Sequence, residues 1–135
     1  MSGPTNDRRV VVAAGVPEPH AASYAHAVRS GQFIFCTGQM GETLDGNVRG
    51  DAYEQATQAL ANLDAVLRSE GASLDDAVKL TVFLVDWSRD YPGIARALDE
   101  RLASVQPARS TVEVRNLAMG ALVEIEAIAV APDHR

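Results

Sequence analysis

Polar and apolar positions change their period several times along the chain, and each change marks an element. Val10, Val11 and Val12 form a short β-branched run that reads as a strand. Pro17 and Pro19 then break the pattern, so residues 15–23 read as a loop. Residues 24–28 alternate weakly and lead through Arg29-Ser30-Gly31 into the stronger run 33–37, the pattern of two strands joined by a tight turn. Between Gly41 and Gly50 lies a turn-rich connection containing Asp45-Gly46-Asn47. From 51 to 70 the period becomes helical, with Tyr53, Ala56, Leu60, Leu63 and Leu67 on one face and Glu54, Gln58, Asp64 and Arg68 elsewhere. Gly71 stands where a helix C-cap glycine belongs. Residues 79–85 are apolar and β-branched almost throughout, as in a strand covered on both faces. Tyr91, Ile94, Leu98 and Leu102 define a second, shorter helix that Pro107 ends. Residues 109–114 and 122–130 give two further strands, joined by the short segment 116–120.

The expected order is β-β-β-α-β-α-β-β, an α+β arrangement in which two helices can cover only one face of the sheet. In the last strand Val123, Ile125, Ala127 and Ala129 form one face, and Leu122, Ile128 and Val130 make the other partly apolar. A sheet apolar on both sides, with helices for only one, implies an oligomer.

Composition adds boundaries to this picture. The 135 residues hold no repeat, low-complexity tract or Pro/Gly-rich linker, so one domain is expected over 1–135, with 1–9 and 132–135 as flexible tails. No apolar run has the length of a membrane span, and the N-terminal stretch is too short for a signal-peptide core. The only cysteine, Cys36, excludes an internal disulfide and a thiolate metal cluster, and a reduced cytoplasm is the expected location. Its setting in an apolar strand is that of a small buried hydrophobe. The net charge of −6, with Lys79 the single lysine and the arginines scattered, argues against nucleic acid as a main partner.

The same residues narrow the chemistry. His20, His26 and His134 lack the spacing of metal ligands. Gly38, Gly41 and Gly46 do not precede a helix as a phosphate loop would. No serine sits in a nucleophile motif, which leaves a site without metal or cofactor. In Pro107-Ala108-Arg109-Ser110-Thr111-Val112 the period of two places Arg109 and Thr111 on one face. In the last strand Glu124 and Glu126 share a face amid Leu, Val and Ile, where a carboxylate is costly unless paired or wet. Two readings stand side by side. Either these are solvated charges on half-buried strands, or they mark a cleft where Arg109 grips a carboxylate in bidentate fashion and Glu124 positions a water.

The segments Pro-Ala-Arg-Ser-Thr-Val-Glu-Val and Leu-Val-Glu-Ile-Glu-Ala-Ile-Ala-Val resemble the C-terminal signature of the RidA (YjgF, L-PSP) family. So do Phe35-Cys36-Thr37-Gly38-Gln39, Gln55-Ala56 with Asn62-Leu63, and Lys79-Leu80-Thr81-Val82-Phe83. The resemblance runs from about Tyr24 to Val130 in the family's order. It implies a chorismate-mutase-like α+β fold, a six-stranded mixed sheet with two helices on one face, in homotrimers with sites in the clefts between subunits. It also implies a cofactor-independent hydrolase that converts 2-enamines and 2-imines of amino acids to 2-keto acids and ammonia. By that resemblance Arg109 holds the substrate carboxylate and Glu124 positions or activates the attacking water. Thr37 and Gly38 join the substrate site, Thr111 stands where other members have a cysteine with a main-chain ligand contact, and Tyr24 matches a loop tyrosine that closes the pocket. Two positions depart from the deaminase pattern: Ala22-Ser23 replaces Gly-Pro, and Ala95 or Arg96 replaces a helix asparagine. The alternatives are a protein that binds a small carboxylate metabolite without turnover, or a holdase, and, less favoured by charge, an endoribonuclease.

Overall fold

Burial alternates along the strands and sorts the sheet into two faces. The computed structural model describes residues 7–132; residues 1–6 and 133–135, with His134 and most of the two expected tails, lie outside the described residues. Six strands, β1 (Arg8–Val11), β2 (Ala27–Ser30), β3 (Phe33–Met40), β4 (Ala77–Leu84), β5 (Ala108–Glu113) and β6 (Val123–Val130), form one sheet in the order β1-β2-β3-β6-β4-β5. Only β4 and β5 are parallel; the crossover between them is a helix, as parallel neighbours require. Helices α1 (Ala52–Arg68) and α2 (Trp87–Leu102) lie on one face. There Leu60, Leu63 and Leu67 of α1 and Ile94, Leu98 and Leu102 of α2 pack on Ile34, Leu80, Val82, Leu84, Val123 and Ile125. Full burial of each such side chain stabilises the fold by about 1.5–3 kcal/mol.

The opposite face has no helix. Val10, Phe33, Phe35 and Val112 are 39–51% exposed there, beside the half-buried Val28, Ile128 and Val130. The strand register puts Val10, Val28, Phe35 and Ile128 in one row across four strands, which makes the apolar patch contiguous. The expected two-sided apolar sheet is therefore present.

Two buried amides of α1 hold the ends of the strands. Gln55 Nε2 donates to the Gly50 carbonyl at 3.0 Å, and its Oε1 accepts from Leu122 N at 2.9 Å. Asn62 Nδ2 donates to the carbonyls of Met40 and Glu42 at 3.2 and 2.9 Å. The end of β3 and the approach to β6 are thus tied to one helix. Asp51 and Glu54 form a reciprocal capping box at its N-terminus, which fixes where that helix starts.

Several boundaries differ from the sequence reading. Arg8 and Arg9, assigned to a tail, begin β1; the Arg9 guanidinium reaches the Glu70 carboxylate beyond α1, with Nη1 to Oε2 at 3.0 Å. The second strand is Ala27–Ser30 rather than 24–28, and the turn is Gly31-Gln32, with Gly31 at φ 60°. Helix α2 starts at Trp87, four residues before Tyr91, because Asp86 caps it by accepting from Arg89 N at 3.1 Å. It ends at Leu102, well short of Pro107, and Gln106 turns the chain at φ 54°.

Candidate active site in two halves

Glu124 lies on the open face of β6, where its cross-strand neighbours are Met40 on β3 and Phe83 on β4. This half-buried, mostly apolar setting raises its carboxyl pKa above the ordinary carboxylate value, through desolvation first and the neighbouring Glu126 charge second. The β3–β6 register shifts between Cys36 and Gln39, so Thr37 and Gly38 both stand opposite Glu126. This bulge turns Gln39 to the buried side and brings the Gly38 backbone onto the Glu124 carboxylate. A Cβ at position 38 would lie 2.5 Å from Glu124 Oε2, so only glycine admits this approach. Thr37 turns to β2 instead: its N–H donates to the His26 carbonyl at 2.9 Å and its hydroxyl to the Ala25 carbonyl at 2.6 Å. Thr37, Gly38 and Glu124 therefore form one cluster.

Tyr24 belongs to the loop entering β2, next in the chain to Ala25, whose carbonyl accepts from Thr37. The Tyr24 hydroxyl accepts from His20 N at 2.8 Å, and His20 Nε2 lies 2.8 Å from Oε1 of the buried Glu42. The buried His26 ties the base of the loop, with Nδ1 accepting from Ala13 N at 2.9 Å and Nε2 at 2.8 Å from the Pro17 carbonyl, which it meets as donor.

Arg109 is elsewhere. The parallel register pairs it with Leu80, Thr111 with Val82 and Glu113 with Leu84, so all three stand on the helix-bearing side of the edge strand β5. Arg109 lines a cleft of about 460 Å³ with Leu98, Leu102 and Pro107. Its Nη2 donates to the Tyr91 hydroxyl at 3.3 Å. Tyr91 stacks on Trp87, with ring centroids 4.5 Å apart and 4° between planes, and Trp87 N donates to Glu113 Oε1 at 2.8 Å.

The six residues named from sequence thus fall into two half-sites. Glu124, Gly38, Thr37 and Tyr24 lie on one side of the sheet or its adjoining loop; Arg109 and Thr111 lie on the other, beyond β4 in strand order. One chain does not bring Arg109 to Glu124. The sequence reading left Trp87 and Glu113 out and used Tyr91 only for its helical period. A start for α2 at the Asp86 cap was the signal that would have placed Trp87 one turn before Tyr91. Of the two positions considered for the departing asparagine, Arg96 turns away, its guanidinium 3.7 Å from the Tyr53 ring centroid, whereas Ala95 follows Tyr91 by one turn. The Cys36 thiol is pushed up to about 12 by burial, the state of an inert core residue. Among the described residues no three His, Cys, Asp or Glu side chains are placed to hold a metal ion.

A family profile described as Endoribonuclease L-PSP matches residues 16–131. A RutC family protein of Pyrococcus horikoshii is 36% identical over 124 residues, covering 90% of this chain and 97% of its own. A 2-iminobutanoate/2-iminopropanoate deaminase of Dermatophagoides farinae is 36% identical over 125 residues, covering 91% of this chain and 96% of its own. The crystal structure of E. coli TdcF with bound serine matches with a TM-score of 0.84 at 29% identity, covering 90% of this chain and 98% of that one.

Proposed function

The chain belongs to the endoribonuclease L-PSP (RidA/YjgF) family, and from that premise we propose that it hydrolyses 2-imino acids, with their enamine tautomers, to 2-keto acids and ammonia. The observation that carries this reading is Glu124, half-buried against Gly38 with its carboxyl pKa raised, on one face of the sheet, while Arg109 stands exposed at the sheet edge on the other. A deaminase relative and a relative that holds serine, an amino acid, support it.

Two copies of the chain complete the site in this reading. The apolar patch around Phe35 packs in a homotrimer, and Arg109 of one subunit faces Glu124 and Gly38 of the next. A symmetric assembly covers the open face and closes the cleft together. Arg109 holds the substrate carboxylate through two parallel N–H bonds; the Tyr91 hydroxyl takes one further N–H of its five. That grip sets C2 beside a water on Glu124, which is the proximity contribution. Water adds to C2, its oxygen bonding as the C=N π pair moves to nitrogen, and Glu124 accepts the proton. Glu124 returns that proton to the nitrogen to give the carbinolamine, which then collapses. Glu124 takes the hydroxyl proton as the C=O bond forms and the C–N bond breaks, that proton goes to the departing nitrogen, and ammonia leaves a 2-keto acid. A carboxyl pKa raised above the ordinary carboxylate value suits these transfers.

The test is ammonia release from 2-aminoacrylate generated in situ by a serine dehydratase. Wild type is expected to accelerate it and Arg109→Ala to lose about 10- to 100-fold in kcat/KM, the loss of one charged hydrogen-bonded contact. Equal rates for wild type, Arg109→Ala and buffer, with 2-aminoacrylate and with the bulkier imine of leucine, would overturn the reading.

A further inference from the structure

Arg109 sits beside an aromatic wall that the reaction itself does not require. Trp87 and Tyr91 are one helical turn apart on α2 and stack almost in parallel. Glu113 holds the start of this helix through Trp87 N, and Arg109 reaches the Tyr91 hydroxyl, so the pair is fastened to β5 at both ends. Thr111 stands between these anchors on the same face of the strand. Trp87 remains 40% exposed, large for an indole in a fixed stack. One turn beyond Tyr91 the helix carries the small side chain of Ala95.

We infer that Trp87 and Tyr91 form the wall that receives the substrate side chain, so that the site prefers 2-imino acids with large apolar side chains over 2-aminoacrylate. This preference rests on the proposed reading of Arg109 as the carboxylate grip. In a 2-imino acid the side chain begins two bonds from the carboxylate carbon. A carboxylate held by the guanidinium therefore carries its side chain past Tyr91, whose hydroxyl Arg109 already touches. Branched aliphatic and aromatic groups gain dispersion contact and lose water against such a surface, whereas a methylene gains little. Tyr91 is also a positioning residue: by taking one N–H of Nη2 it sets the plane of the guanidinium and leaves an edge free for the ligand.

Trp87 is the only tryptophan in the chain, so its fluorescence reports on this wall without turnover. The experiment titrates wild type with 4-methyl-2-oxopentanoate and with pyruvate, the stable keto-acid products. The expected result is a change in emission with the branched acid at a Kd about tenfold or more below that for pyruvate, the discrimination a few methylenes give in an apolar pocket. Imines of leucine and alanine, generated by an amino acid oxidase, then give a kcat/KM ratio that falls about tenfold in Trp87→Ala and recovers in Trp87→Phe. Tyr91→Phe is expected to raise KM with little change in kcat. An emission indifferent to both keto acids, or a ratio unchanged in Trp87→Ala while activity still depends on Arg109, overturns the wall and leaves the deaminase reading intact. Turnover that is absent, or indifferent to Arg109→Ala, removes the deaminase reading; the emission change with the branched acid still decides the wall.

Discussion

Glu124 sits where ionisation is disfavoured, between Met40 and Phe83 and next to a second carboxylate. As the proposed base it would work only when ionised, so kcat/KM is expected to fall as pH drops through its raised pKa, with the acid limb shifted up from that of an ordinary glutamate. Glu124→Gln should remove that limb and cost about 10²- to 10⁴-fold in kcat, which a pH–rate profile of both proteins checks. Two neighbouring glycines separate geometry from stability. In Gly38→Ala the new methyl meets only the flexible end of Glu124, so the fold survives while the carboxylate moves. Activity is expected to drop on the order of 10²-fold, as for a misplacement of about 1 Å, with Tm nearly unchanged. In Gly41→Ala the methyl meets the Gln55 backbone at 2.6 Å, which cannot yield. A loss of about 1–3 kcal/mol in denaturant unfolding is expected there, the usual cost of overpacking.

At the scale of elements, polar clamps decide how the site is held. Asn62 satisfies two carbonyls at the end of β3, and Asn62→Leu should strand both, costing about 1–3 kcal/mol by chemical denaturation. Strand β1 is fastened by Glu70, whose carboxyl is held below its usual value by the Arg9 guanidinium first, against some desolvation, and by Arg29. A depressed carboxyl stabilises the fold above its unfolded pKa, and that contribution fades as pH falls below the ordinary glutamate range. These clamps also explain what the sequence showed and what it hid. The 3.6-residue period of α1 was legible because one buried face dominates it. The apolar run of β4, expected to be covered on both faces, marked the strand but not its burial, which alternates between buried Leu80, Val82 and Leu84 and half-exposed Lys79, Thr81 and Phe83. The start of α2 was not legible, since Pro92 breaks the pattern and a side-chain cap sets the boundary. The N-terminal strand was half-legible for a related reason: its first two residues are arginines, and Arg9 is held by an ion pair sixty-one residues away in the chain rather than by an apolar period.

At the scale of the whole molecule, the open sheet face and the divided site have one explanation. The need for a partner could be read from Ile128 and Val130 opposite a buried face, because a period of two exposes it. The division of the site could not be read from the same period, since it depends on the order of strands and on β5 pairing in parallel with β4. The proposed homotrimer, with sites between subunits, would account for both. Phe35→Lys on the open face is expected to yield smaller species by sedimentation, with the far-UV spectrum retained and activity lost together. The most direct measurement mixes two inactive proteins, Arg109→Ala and Glu124→Gln, by unfolding and refolding them together in equal amounts. Mixed oligomers should regain about a quarter of wild-type activity, because a quarter of the interfaces in a random mixture join an intact Arg109 to an intact Glu124. Mixed oligomers that form and remain inactive would contradict a site shared between subunits.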